Sequence, residues 1–160
     1  MFDNSQLLRQ AQLSGSLGAP DPLKARRDMT TLYWRAYAVG QWRRLWRNLS
    51  GQSSRLRSLT SVTSGVAQRI NLGLQTIPLA KIRGSEGRAN DFDVDFLPSQ
   101  THSKDRWIDI AAARQLGKPL PPVVLIQVGD AYFVRDGHHR LSVARLMGQA
   151  TIDAEVMLWR

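Results

Sequence analysis

Residues 131–148, A-Y-F-V-R-D-G-H-H-R-L-S-V-A-R-L-M-G, set an extended apolar run against a helical one with only Asp136-Gly137 between them. The pattern predicts a strand over 131–135, a helix over 138–147 and a C-terminal stop at Gly148. The polar residues crowd at the helix start. A helix N-terminus presents unpaired N–H groups and the positive end of the macrodipole, so Gly137, His138, His139 and Arg140 form a cradle suited to a phosphate. Gly137 lets the backbone come close, Arg140 offers a planar bidentate grip, and the histidines can donate hydrogen bonds or move protons near neutral pH. A plainer reading makes Asp136 an N-cap, Gly137 a turn residue and Arg140 a solvated charge. Four such residues in succession, framed by Tyr132, Phe133 and Val134 before and Leu141, Val143, Ala144 and Met147 after, favour the first reading.

Residues 74–156 resemble the ParB/sulfiredoxin superfamily, whose strand-to-helix loop holds nucleotide phosphates. Sulfiredoxins carry G-C-H-R there, ParB proteins G-E-R-R, and the ParB-related free-serine kinases D-G-H-x-R. The segment Asp136-Gly137-His138-His139-Arg140 is most similar to the kinase form. His138 stands where sulfiredoxin has its cysteine, and the chain contains none, so sulfiredoxin chemistry is excluded. It also stands where ParB has its glutamate. The resemblance implies an α+β fold in which a small mixed sheet with packed helices follows a basic helical N-terminal extension.

At 160 residues the chain suits one globular core with an appendage. No apolar run is long enough to cross a membrane and no secretory start follows Met1, so a cytoplasmic location is expected. Charge is uneven. Of the net +9, residues 1–75 carry eleven Lys and Arg against three acids, and residues 76–160 carry eleven against ten. The front half is therefore expected to meet an anionic partner, and the back half to be the near-neutral folded domain. Three parts are expected: a flexible 1–21 with a short helical piece at 6–13, a basic, Trp-rich helical 22–71, and a folded 72–160.

Asp21 and Pro22 predict a helix start, with helix formers and aromatic residues running to Leu49. Leu32, Ala36, Val39, Trp42, Trp46 and Leu49 recur at helical spacing as an apolar face, with Arg43, Arg44 and Arg47 off it. Gly40 weakens the helix locally. Three occupants fit that face: the domain or a second copy of the chain, nucleic acid whose phosphates the arginines would neutralise, or an anionic membrane surface. Beyond Gly51, residues 50–64 have linker composition and 61–71 can form a second short helix.

Residues 74–82 predict a first strand, at a sheet edge because of Pro78. Arg83-Gly84-Ser85-Glu86-Gly87-Arg88 reads as a loop that approaches a ligand, or as a surface turn. In an extended chain Asp91, Asp93 and Asp95 would share one face, able to hold Mg²⁺, or a solvated face above buried Phe92 and Phe96. Ser103 predicts the cap of a helix over 104–116, residues 123–128 a buried strand, Gly129-Asp130 a hairpin turn, and residues 151–158 a closing strand.

If the resemblance carries the chemistry, the loop would hold the phosphates of ATP or CTP, with His138 or His139 stabilising charge and Mg²⁺ accompanying. Glu86, in the glycine-flanked loop, is the candidate base. A nucleotide sensor or adaptor, in which the basic helix binds DNA or a protein, is the reading of a different class. The ParB helix-turn-helix is not expected after residue 158. A metal nuclease built on His102, His138 and His139 is disfavoured, because adjacent helical residues do not face one ion.

Overall fold

The structure, a computed structural model, describes residues 21–51, 56–59, 68–88 and 90–160. The expected flexible start, the helical piece at 6–13 and most of the second helix at 61–71 lie outside the described residues. Helix α1 (Pro22–Leu49) starts as the sequence predicts, with Asp21 Oδ1 accepting the Leu23 N–H at 2.9 Å and Pro22 in the first turn. Gly40 does not interrupt it. A Cβ there would meet Leu97 Cβ at 3.4 Å, so the glycine allows a close approach to the 91–97 loop.

The buried face of α1 differs from the expected one. It consists of Ala25, Met29, Tyr33, Ala36 and Gly40, while Val39, Trp42, Trp46 and Leu49 are exposed. The helix carries two apolar stripes, and periodicity alone does not say which one packs. The stripe with Tyr33 wins because it meets α2 (Lys104–Gln115): Tyr33 sits edge-on to Trp107 at 5.5 Å and donates its hydroxyl to the Gln100 carbonyl at 2.9 Å. Arg26 adds ion pairs to Asp105 and Asp109 on α2.

The sheet has six strands: β1 (Arg57–Ser58), β2 (Arg69–Pro78), β3 (Ile82–Ser85), β4 (Val123–Val128), β5 (Ala131–Asp136) and β6 (Thr151–Trp159), in the order β1-β3-β5-β4-β6-β2. The β1/β3, β3/β5 and β4/β6 pairs are parallel, and β4/β5 and β2/β6 antiparallel. This mixed α+β sheet, with α3 (His138–Leu146) packed to it through Leu141 and Ala144 and α2 layered between α3 and α1, is the expected class of fold.

Several boundaries shift. The strand expected at 74–82 is two: β2 begins at Arg69, inside the expected second helix, and ends at Pro78, and a 3-10 turn (Leu79–Lys81) leads into β3. β2 is an edge strand, as Pro78 predicts. Residues 50–64 are not simply linker, for Leu56 and Leu59 are buried on either side of β1. Residues 83–85 belong to β3 and not to a ligand loop. At Gly84 a Cβ would lie 2.3 Å from the Arg57 carbonyl oxygen and 2.7 Å from the Phe133 ring, so this glycine serves strand packing.

The acidic run also departs from expectation. Residues 91–97 form a tight loop and not an extended strand, and its three carboxylates diverge. Asp91 meets Arg88 and His102, Asp95 accepts from Arg43 and Arg47 at 3.1 and 3.0 Å, and buried Asp93 accepts the Asp95 and Leu97 N–H groups. Alternation failed as a signal because Asp93 bonds its own backbone, which favours a turn over a strand. Phe92 and Phe96 are buried as expected, and Phe96 adopts φ +60°. Among the described residues no group of three His, Cys, Asp or Glu is placed to hold a metal.

Trp107 is 1% exposed, and its Nε1 donates to Ser142 Oγ of α3 at 2.9 Å, joining three helices around one side chain. Trp107→Ala is expected to cost about 3–5 kcal/mol in urea unfolding followed by circular dichroism. Trp42→Ala, at an exposed position, is expected to stay within about 0.5 kcal/mol of wild type.

Candidate phosphate-binding site

β5 turns into α3 at a single residue. Gly137 adopts φ +91°, and a Cβ there would lie 2.6 Å from Val123 Cγ1 and 3.0 Å from Arg140 Nη2. Both the dihedral and the space require glycine. Asp136 is not the N-cap: Gly137 holds that position without a side-chain bond, and Asp136 Oδ2 accepts from Arg140 Nη2 at 2.7 Å.

Arg140 is not the open grip that the sequence suggests. Its Nη1 donates to the Pro121 and Pro122 carbonyls, both at 2.7 Å, and its side chain is 14% exposed. With Asp136 on Nη2, the guanidinium pins the loop to the segment that enters β4. The sequence hides this because the two carbonyls lie nearly twenty residues upstream.

The histidines are buried and hydrogen-bonded. His138 Nε2 lies 2.7 Å from Ser85 Oγ, the last residue of β3, and His139 Nε2 lies 2.9 Å from Ser103 Oγ at the start of α2. Ser85 Oγ already accepts the Gly87 and Arg88 N–H groups at 3.3 and 3.0 Å, so its own hydrogen goes to His138. Nε2 of His138 is therefore the acceptor, and Nδ1 carries the ring proton. Phe92 stacks on His138 at 6.0 Å and meets His139 edge-on at 5.4 Å. Ser103 heads α2 as predicted, but it gives the helix no side-chain cap.

Burial, followed by the charge of Arg88, lowers the His138 pKa to about 4. Burial, followed by Arg106, does the same for His139, also to about 4. Both rings are neutral at pH 7. In that neutral state each ring shares a hydrogen bond with a serine, His138 with Ser85 and His139 with Ser103.

Three residues that sequence reasoning did not single out as a site converge on this helix start. Arg88, Arg106 and Arg135 line a cavity of about 60 Å³ with Asp136, Gly137, His138, His139 and Arg140. Arg88 follows β3, Arg106 lies in the first turn of α2 and Arg135 is the penultimate residue of β5, so only the fold brings them together. The one available signal was Arg88, which borders Gly87 in the glycine-flanked 83–88 segment. Arg135 Nε lies 3.3 Å from Glu86 Oε2 and Arg88 Nη1 lies 3.5 Å from Asp91, whereas Arg106 has no ion-pair partner among the described residues. Glu86 thus reaches the rim of the site through Arg135. Asp93, Asp95, Arg43 and Arg47 are gathered elsewhere, around the 91–97 loop, and Arg44 joins neither cluster. A larger cavity of about 880 Å³, lined in part by Arg57, Arg83, Asp95, Asp130 and Arg145, opens at the opposite end of the sheet.

No family model and no curated protein matches the chain. Among solved structures it is similar to sulfiredoxin from Arabidopsis thaliana, with 24% sequence identity over 52% of this chain and 82% of that one, at a TM-score of 0.37. No helix among the described residues is long and apolar enough to cross a membrane.

The histidine pKa values set a pH dependence. Unfolded rings titrate near 6.5 and folded ones near 4, so between these values the unfolded state binds more protons. Their contribution is complete above pH 6.5 and is lost as the pH falls toward 4, with about 3 kcal/mol at stake for each ring. Urea unfolding across that window should show the loss, and His138→Gln combined with His139→Gln should flatten the slope.

Proposed function

We propose that the protein binds a phosphorylated ligand, with one phosphoryl group at the start of α3 between Arg88, Arg106 and Arg135. The observation that carries this reading is the convergence of three guanidinium groups on a helix N-terminus already opened by the left-handed Gly137. Each element favours an anion: the dipole and free N–H groups of the first turn, and planar donors that match phosphate oxygens. Neutral His138, with its proton on Nδ1, is available as a further donor. The cavity, about 60 Å³, suits a phosphoryl group and leaves a nucleobase outside it. ATP or CTP is the nucleotide that the loop's similarity to the ParB/sulfiredoxin superfamily suggests. Mg²⁺ would arrive on the phosphates, since the carboxylates near the site are paired with arginines.

Binding without turnover is the reading favoured. Neither histidine is poised to exchange a proton at neutral pH, and Glu86 is held by Arg135. Phosphotransfer, the kinase-like alternative, rests on Glu86. A phosphate drawing Arg135 inward would release that carboxylate toward an acceptor hydroxyl, where it can serve as base.

Calorimetry with ATP, ADP, CTP and pyrophosphate, with and without Mg²⁺, tests both. The expected result is micromolar binding that Arg106→Ala and Arg88→Ala each weaken roughly tenfold or more, with unchanged unfolding curves. Arg140→Ala should lower stability as well as affinity, because it frees the 121–122 segment. Absence of binding to the folded wild type would overturn the proposal. Release of ADP or phosphate that Glu86→Gln abolishes would select the transfer reading.

A further inference from the structure

The second apolar stripe of α1 is unpartnered. Trp42, Leu45, Trp46 and Leu49 are 63, 52, 59 and 74% exposed, and Trp34 and Val39 continue the stripe toward the middle of the helix. At about 1.5 Å per residue, positions 34 to 49 extend for roughly 22 Å along one side of the helix, facing away from the buried Tyr33 side. A patch of this size, with large aromatic side chains in water, marks an interaction surface.

Charge decides what covers it. From Met29 to Leu49 the helix has Arg35, Arg43, Arg44 and Arg47 and no acidic residue. Lys104 adds a cation 5.5 Å from the Trp34 ring. A second copy of the chain would bring the same cations against these, with Arg35, Arg44 and Lys104 unpaired by any carboxylate among the described residues, which opposes a symmetric helix pair. Nucleic acid suits the charge, yet Arg43 and Arg47 already share the Asp95 carboxylate, and the outermost groups are indole and leucine side chains that a phosphate backbone leaves uncovered. An anionic lipid surface satisfies both features. Indole rings favour the boundary between acyl chains and headgroups, leucines enter the acyl region, and the cations left outside the Asp95 pairing, Arg35 and the Lys104 beside Trp34, reach the lipid phosphates.

We propose that the exposed face of α1, through Trp42, Leu45, Trp46 and Leu49, docks the protein on an anionic membrane surface with the helix lying in the interface plane. The helix stays joined to the folded domain by its other face. Docking would therefore hold the whole domain at the surface, with α1 lying on the bilayer rather than crossing it.

Flotation of the full chain with vesicles of phosphatidylcholine, with and without phosphatidylserine, tests this, read together with the emission maximum of the tryptophans. The expected result is partitioning onto the phosphatidylserine vesicles with a blue shift, reduced by salt. Trp42→Gln combined with Trp46→Gln should weaken partitioning roughly tenfold or more while leaving the unfolding curve in place. Failure to float with either vesicle overturns the proposal, as does partitioning that the double variant leaves intact. Sedimentation equilibrium showing a dimer that the same substitutions dissolve would assign the face to a second copy. Tight duplex DNA binding that the substitutions abolish, without vesicle binding, would assign it to nucleic acid. Protection of the wild-type tryptophans from a soluble quencher that is lost when residues 1–20 are deleted would assign it to that segment. Each of these three results also overturns the membrane reading.

Discussion

Arg140 is the interaction on which the geometry of the site depends. One guanidinium holds the Pro121 and Pro122 carbonyls and the Asp136 carboxylate, tying the entry of β4, the exit of β5 and the first turn of α3 at one point. Gly137 makes that junction possible, since any side chain would strike Val123 and Arg140 itself. The N–H groups of the first helical turn are thus held in position by a residue that is unavailable for ligands. The positive charge facing solvent comes from Arg88, Arg106 and Arg135, each supplied by a different element.

The two histidines show how burial changes a residue's chemistry. In sequence they look like proton carriers. In the fold, loss of water and nearby arginines keep them neutral, and each accepts or shares a hydrogen bond with a serine from another element. Ser85 belongs to β3 and Ser103 heads α2, so the pair brings the loop after β3 and the start of α2 to the same helix. A neutral imidazole suits this place better than a charged one, because a buried cation beside Arg88 and Arg106 would face repulsion from two sides.

Local signals made much of the α+β fold legible. Strands β4, β5 and β6, the hairpin turn between β4 and β5, and helices α1, α2 and α3 follow apolar periodicity and glycine or proline punctuation to within a residue or two. Signals that depend on distant partners were not legible. β1 is two residues long and exists because Gly84 admits the Arg57 backbone. The acidic run looked extended because its alternation is real, but Asp93 turns the chain by bonding residues two and four ahead. At the candidate site, the strand-to-helix loop is legible from its own residues, while Arg140's bonds to Pro121 and Pro122 and the convergence of Arg88, Arg106 and Arg135 required the tertiary arrangement. The packed side of α1 was misread because both of its sides are apolar, and only the position of Trp107 distinguishes them.

Helix α3 is short, and both of its ends are anchored. Its first turn carries His138, His139 and Arg140. Near its last turn Arg145 donates to the Leu79 and Ile82 carbonyls at 2.9 and 2.7 Å and lies 4.8 Å over the Phe96 ring, where the 91–97 loop takes its left-handed residue. Arg43 and Arg47 of α1 grip Asp95 in that same loop. A nine-residue helix behaves as a stiff rod, so a tilt at its start cannot be absorbed along its length. Movement at one end becomes a load on the loop at the other, and through Asp95 on the half of α1 that carries the exposed tryptophans.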